Sequence, residues 1–173
     1  GAKKVLLKLI EKLTYFFTTK LLCNSFGLKT YVQDHLTKKE ISVIAEGSVN
    51  GVDTSYFEDK TSEDEKQKIR SDYGIGKNDF VLTFVGRIVK YKGINELVES
   101  FMSLRKSYPS LKLLLVGDYE ESLNPLNKST REHINTSSDI ISVGFQQDIR
   151  KFLCISDLFV LPSYREGLPN SLI

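Results

Sequence analysis

The sequence of 173 residues is poor in cysteine, histidine and proline, with Cys 2, His 2 and Pro 4. Cys23 and Cys154 stand far apart among apolar neighbours. Two such cysteines exclude a disulfide framework, and buried, reduced thiols in a cytosolic protein are expected. His35 and His133 lie near neither each other nor a cysteine. No metal cluster can be assembled by spacing, so a zinc enzyme is not expected and no metal cofactor is sought. Long apolar runs are also missing. The longest nearly apolar stretch, residues 14–26, falls well short of the roughly 20 residues that a bilayer span needs. The basic start, Lys3-Lys4 followed by Val-Leu-Leu-Lys-Leu-Ile, has no uninterrupted apolar core and is not a secretory signal. Charge of one sign is lacking too: 24 Lys and Arg face 22 Asp and Glu, for a net +2, which does not fit a nucleic-acid-coating protein.

What remains is the composition of an ordinary globular protein, 40% hydrophobic and 27% charged, of a length for one domain or one domain and a piece of another. The charge is unevenly placed. Residues 1–46 hold eight lysines against four acidic residues, a surplus of four, so the other 127 residues carry a deficit of two. A basic first part is suited to facing an anionic membrane surface.

Val5, Leu6, Leu7, Leu9, Ile10, Leu13, Phe16 and Phe17 recur at helical spacing with lysines between them, predicting an amphipathic helix over 3–17. Such a stripe needs a partner, a core being the first expectation and a membrane interface the second. A short apolar run at 19–24 reads as a strand, and Ser25 as the N-cap of a helix through Phe26, Leu28, Tyr31, Val32 and Leu36. A strand at 41–45 and a Gly/Asn-rich connection at 46–53 follow. The hydroxyl cap and acidic first turn at 61–65 open a helix that closes at Tyr73-Gly74. Then a βα rhythm sets in: strands at 80–85, 111–116, 140–143 and 158–161, and helices at 95–108, 126–135, 149–155 and from 168 onward. Uniformly apolar strands alternating with helices predict an α/β protein with a doubly wound, Rossmann-like parallel sheet covered on both faces. The loops after its strands share one edge, where ligands bind.

Three loops on that edge carry candidate chemistry. Gly86-Arg87-Ile88-Val89-Lys90-Tyr91-Lys92-Gly93 places Arg87 at a strand end and Lys92 at the start of the next helix, two cations that can converge on an anion, a phosphate above all. A solvated basic loop is the plainer alternative. It is no Walker A loop, and Gly74-Ile-Gly-Lys is no dinucleotide fingerprint, because it precedes a strand. In Gly117-Asp118-Tyr119-Glu120 the glycine permits close approach and Asp118 offers an acceptor; Gly144-Phe145-Gln146 holds the matching place one strand later. Turn chemistry explains both equally well. In residues 162–171 Glu166 stands before Gly167, Leu168, Pro169, Asn170 and Ser171, an acceptor beside backbone donors that suits a polyhydroxylated ligand or, more simply, caps a helix.

Taken together, Gly47-Ser-Val-Asn-Gly-Val-Asp53, Phe84-Val-Gly-Arg-Ile-Val-Lys-Tyr-Lys-Gly93, Leu114-Leu-Val-Gly-Asp-Tyr-Glu120 with Leu123-Asn-Pro-Leu126, and Phe159 through Ile173 resemble, in order and spacing, the retaining glycosyltransferases of family 4. The wording is most similar to bacterial capsule and exopolysaccharide enzymes. The resemblance implies the C-terminal half of a GT-B fold, with residues 1–40 as the tail of an acceptor-side domain and 41–173 as a donor-binding domain. It implies a nucleotide-diphosphate sugar, by preference a UDP sugar, as donor, and a lipid-linked or saccharide acceptor at the cytoplasmic face of the membrane, without a cofactor.

By the same resemblance, Arg87, Lys92 and Glu166 would be the catalytic groups. Arg87 and Lys92, with the backbone of Asn170 and Ser171, would hold the diphosphate. Glu166, Gly167 and Leu168 would hold the sugar; Asp118, Gly144, Phe145 and Gln146 would meet the nucleoside. Cations and helix N-termini can stabilise a departing diphosphate without a metal. The family's second, ribose-binding glutamate would fall at position 174, beyond Ile173, so a fragment cut at both ends and inactive by itself is expected. Peripheral membrane contact and a homodimer through helix 3–17 are the expected associations, and no nucleic acid. A non-catalytic α/β module binding polyphosphate or a partner protein through the same edge is the alternative.

Overall fold

The computed structural model of the chain describes residues 2–47, 51–120, 122 and 124–172. Its backbone divides into two compact units. The first holds the chain up to Val52 together with 166–171; the second runs from Asp53 to Arg165 and includes Leu172.

The first unit opens with α1 (Ala2–Phe17), the expected amphipathic helix. Its apolar residues Val5, Leu6, Leu9, Ile10, Leu13, Phe16 and Phe17 are all at least half exposed. Tyr15, on the helix's polar side, instead packs against the small core of Val32, Leu36 and Ile41. The helix is thus docked with its apolar stripe outward. Lys39 Nζ donates to the carbonyls of Phe16 (2.6 Å) and Thr18 (2.7 Å), meeting acceptors that every helix C-terminus leaves open.

A short strand β1 (Leu21–Cys23) leads to α2 (Phe26–His35), whose cap is the predicted Ser25 accepting from the Leu28 N–H at 3.2 Å. The next strand, β2 (Ile41–Val43), pairs in parallel with β1, Leu21 opposite Ile41. Because β2 takes its ladder bonds from β1, residues 41–52 group with the first unit. Residues 48–50 of the motif beginning at Gly47 lie outside the described residues. The helix expected from 168 is a three-residue 3-10 turn, Asn170–Leu172. Burial pushes the thiol of Cys23 up, and both cysteines are free.

The second unit is built on a parallel sheet in the order β5-β4-β3-β6. It begins with α3 (Glu63–Asp72), held at its start by a reciprocal bond pair between Ser62 and Glu65 and followed by Gly74 at φ 68°. Then come β3 (Phe80–Val85), α4 (Ile94–Arg105), β4 (Leu111–Val116), α5 (Lys128–Thr136), β5 (Ile140–Ser142), α6 (Arg150–Leu153) and β6 (Leu158–Phe159).

The period of two along a strand sorts the apolar residues into two cores. Leu82 and Phe84 of β3 and Leu111, Leu113 and Leu115 of β4 pack with Ile94, Leu97, Val98 and Phe101 of α4 and Ile134 of α5. Val81, Leu114 and Val116 point the other way, to Ile75, Phe152 and Ile155, with Ile69 of α3 against them. Both faces are therefore covered, as continuous apolar strands require. Burying each of these side chains contributes about 1.5–3 kcal/mol.

At the sheet's amino end Asp139 binds Lys112 Nζ (2.6 Å) and Arg105. Burial raises its carboxyl, but those two hydrogen bonds outweigh burial and leave it below the ordinary carboxylate range. Among the described residues no helix is long and apolar enough to cross a membrane, and no group of three or more His, Cys, Asp or Glu could hold a metal.

Candidate functional site

All four strands of the second unit run the same way, so the loops after them share one edge. From β3 the chain passes to β4 on one side, while β6 lies on the other. Such a reversal opens a crevice at the carboxyl ends, the usual ligand position in open α/β sheets.

Backbone proximity binds these loops together. The Gly86 N–H donates to the Val116 carbonyl and the Gly117 N–H to the Gly144 carbonyl, both at 2.9 Å. Gly117, at φ 145°, lies so close to the first loop that a Cβ there would be 1.9 Å from the Gly86 carbonyl oxygen. Gly93, at φ 74°, has the Pro162 carbonyl oxygen 2.2 Å from where its Cβ would be. The loops after β3, β4 and β6 thus touch through positions where only glycine fits. A further clamp joins Tyr164 to the start of α4: its N–H donates to the Tyr91 carbonyl (3.1 Å) and its hydroxyl to Glu96 Oε1 (2.7 Å). That hydroxyl holds the Glu96 carboxyl below its usual range, and the carboxylate in turn raises the Tyr164 phenol.

Arg87 leaves β3 as expected, its side chain 56% exposed. Its guanidinium donates to Glu120 Oε2 at 2.7 Å and to the Tyr91 hydroxyl, with the Tyr91 ring centroid 5.4 Å away. Lys92 ends a 3-10 turn, Lys90–Lys92, and Gly93 in the left-handed conformation leads into α4. Its Nζ lies 5.9 Å from the same Tyr91 ring, so both predicted cations flank one tyrosine.

Asp118 is placed at the edge but occupied: its Oδ1 accepts from the Phe145 N–H at 2.9 Å, and its carbonyl accepts from the Ile88 N–H at 2.8 Å. It therefore braces the Gly144-Phe145 turn. Phe145 itself is 70% exposed, an aromatic face open to stacking, and Gln146 Nε2 donates to the Val143 carbonyl at 2.8 Å. Arg87, Asp118, Gly144, Phe145 and Gln146 are so joined through one set of loops.

Glu166, Gly167, Leu168, Asn170 and Ser171 belong to the first unit. There Glu166 is exposed, and Gly167 lies against the side chain of Asn24, whose Nδ2 would be 2.8 Å from a Cβ at 167. Asn24 Oδ1 is buried without a hydrogen-bond partner among the described residues.

Sequence reasoning missed Tyr91, Glu120, Glu96 and Tyr164. Register could have found one of them. Val85 pairs with Val116, so two residues further on Arg87 comes level with Asp118, and Glu120 falls within its reach. A cleft of about 420 Å³ opens beside these residues, lined by Lys90, Tyr91, Asn124, Tyr164 and Arg165. Another, of about 770 Å³, lies away from the edge against α3 and α6. Two of its carboxylates are already paired: Asp148 is held down to about 2 by the Arg150 hydrogen bonds, and Asp59 to about 2 by Lys66.

The arrangement offers a forked, exposed cation beside a lysine, at a place where a carboxylate oxygen already sits 2.7 Å from the guanidinium. Such geometry receives oxyanions, phosphates included.

Known proteins can now be set beside this geometry. Residues 65–173 match the family of glycosyl transferases group 1. The capsular polysaccharide biosynthesis glycosyltransferase CapM of Staphylococcus aureus is 32% identical over 174 residues, covering 98% of this chain and 44% of the relative. The UDP-Gal:alpha-D-GlcNAc-diphosphoundecaprenol alpha-1,3-galactosyltransferase of Escherichia coli is 30% identical over 182 residues, covering 100% of this chain and 45% of that protein. The chain spans less than half the length of these relatives. Among solved structures, HepE of Anabaena in complex with UDP and glucose superposes with a TM-score of 0.75 over 96% of this chain and 44% of its own, at 23% identity, a likeness of fold. The chain belongs to the glycosyl transferases group 1 family and has the Rossmann-like architecture of GT-B glycosyltransferases.

Proposed function

We propose that the carboxyl edge of the second unit binds the diphosphate of a nucleotide sugar, by preference a UDP sugar. The longer protein transfers that sugar, with retention of configuration, to a lipid-linked or saccharide acceptor in the making of a bacterial surface polysaccharide. The single observation that carries the reading is Arg87: an exposed guanidinium at a strand end, donating to a carboxylate oxygen at 2.7 Å, beside Lys92 and the start of α4. As the donor's glycosidic bond breaks, negative charge grows on the diphosphate, and these fixed cations stabilise it without a metal. Phe145 and Gln146 meet the base. The UDP bound by HepE and the undecaprenyl-linked acceptor named for the E. coli relative support the choice of donor and acceptor class. On this reading the transfer takes place at the cytoplasmic face of the membrane.

Calorimetric titration of the chain with UDP tests this. Weak binding is expected, and Arg87→Ala or Lys92→Ala should each weaken it about tenfold, a charge-assisted hydrogen bond being worth about 1.5–3 kcal/mol and exposure reducing that. Equal binding by the wild type and both variants would overturn the diphosphate assignment. The 173-residue span, less than half of its relatives' length, is expected to bind donor without transferring the sugar; robust transfer by the purified chain would refute that.

A further inference from the structure

Resting on the donor-site reading, we propose that Glu120 is a built-in counter-ion which the incoming diphosphate must displace from Arg87, and that Tyr91 is the positioning residue that keeps the freed guanidinium on station. Three observations carry this. Glu120 reaches Arg87 from a different loop, the one after β4, with Oε2 2.7 Å from Nη1 and its side chain 32% exposed. It therefore occupies with an oxyanion the donor position at which a phosphate oxygen would bond. Tyr91 holds the opposite end of the fork, its hydroxyl accepting from Nη2. The backbone under Tyr91 is itself fixed, its N–H donating to Asn124 Oδ1 at 2.7 Å and its carbonyl accepting from the Tyr164 N–H. One partner of Arg87 is thus anionic and carried on a side chain only partly buried, while the other is neutral and braced.

A carboxylate and a phosphate cannot share one guanidinium edge without repelling each other, so the anion of higher charge takes the place and Glu120 turns to water. The consequence is opposite in sign to that of an ordinary supporting contact: removing the Glu120 charge should tighten donor binding. An exposed pair of this kind is worth about 0.2–1 kcal/mol, so Glu120→Gln should bind UDP about two- to fivefold more tightly than the wild type. Tyr91→Phe, which keeps the ring and removes the hydroxyl, should weaken it by a similar factor.

The experiment is titration of the folded chain with UDP and, separately, with inorganic pyrophosphate. The proteins are the wild type, Glu120→Gln, Tyr91→Phe, Arg87→Ala and the double variant Arg87→Ala/Glu120→Gln. Circular dichroism establishes that each is folded. Tighter binding of both probes by Glu120→Gln, lost in the double variant, is the result expected. Unchanged or weaker binding by Glu120→Gln, with the wild type still dependent on Arg87, overturns the counter-ion role and leaves the donor reading standing. A gain in Glu120→Gln that persists without Arg87 also overturns it, since the carboxylate then acts on another group. No binding of either probe by any variant overturns the donor reading, and this inference with it.

Discussion

The first unit keeps a core of three buried residues, Val32, Leu36 and Ile41, and a helix, α1, in which no residue is buried. The second carries two cores, one on each face of a four-stranded sheet, with Phe84, Phe101 and Phe152 at or below 1% exposure. Apolar content does not separate them, because α1 is richer in leucine and phenylalanine than α4, the longest helix of the second unit. What differs is whether the apolar side of each element meets another. Periodicity predicts that a helix forms; it does not say that its stripe finds a partner within the same stretch of chain.

Four tests would break or sharpen that comparison. The largest effect is expected from Phe101→Ala, which empties a fully enclosed site in the second unit and should cost about 3–5 kcal/mol. Val32→Ala, in the thin core of the first unit, should cost no more than about 2 kcal/mol. Denaturant unfolding followed by amide exchange in each unit would give both, and equal losses would show the cores to be of one quality. Next comes Gly117→Ala, whose new methyl would be 1.9 Å from the Gly86 carbonyl oxygen and must push two loops apart. About 2–3 kcal/mol of destabilisation is expected, with weaker UDP binding in the same sample; a fully stable variant would mean that the loops yield.

Third, Asp139→Asn should cost about 1–2 kcal/mol by loosening Arg105 and Lys112. The carboxyl titrates below its ordinary value of 3.8 in the folded chain. Its contribution is therefore complete above that value and lost as pH falls through the lower folded value. Melting temperatures of wild type and variant should converge under strongly acidic conditions; a constant difference down to the lowest pH would refute the charge-based account. The smallest effect on folding belongs to the outward stripe. Leu9→Lys with Leu13→Glu should change stability by less than about 0.5 kcal/mol, yet reduce the self-association proposed for α1, as read by light scattering. A large loss of stability would show that the stripe is already covered.

Elements with local signals were legible in the sequence. The Ser25 cap, the Ser62 and Glu65 pair, the Gly74 stop and the alternation in Phe80–Val85 each depend on residues a few positions apart. The parallel sheet followed from continuous apolar strands, and Arg87 and Lys92 from their places beside it. Partnerships between distant segments were not legible. Nothing in residues 41–43 says that they pair with 21–23, nothing in Asp118 says that the Phe145 N–H claims it, and the bond from Tyr164 to Glu96 spans 68 positions. The strand at 158–161 shortens to Leu158–Phe159 for a related reason: β6 lies at the sheet's edge, where only β3 is there to extend it, although the Val160 N–H still reaches the Thr83 carbonyl.

The stacking of Gly86, Gly117 and Gly144 has a mechanical consequence. Their N–H groups lie in loops, yet two of them donate into the carbonyls of neighbouring chain ends, and no side chain can wedge the loops apart. These loop roots should exchange hydrogen as slowly as strand interiors, and the Ile88, Lys90 and Tyr91 N–H groups, bonded to oxygens of Asp118 and Asn124, should be protected with them. A ligand arriving at the edge would then meet movable side chains, Arg87 and Phe145 among them, mounted on an immovable base.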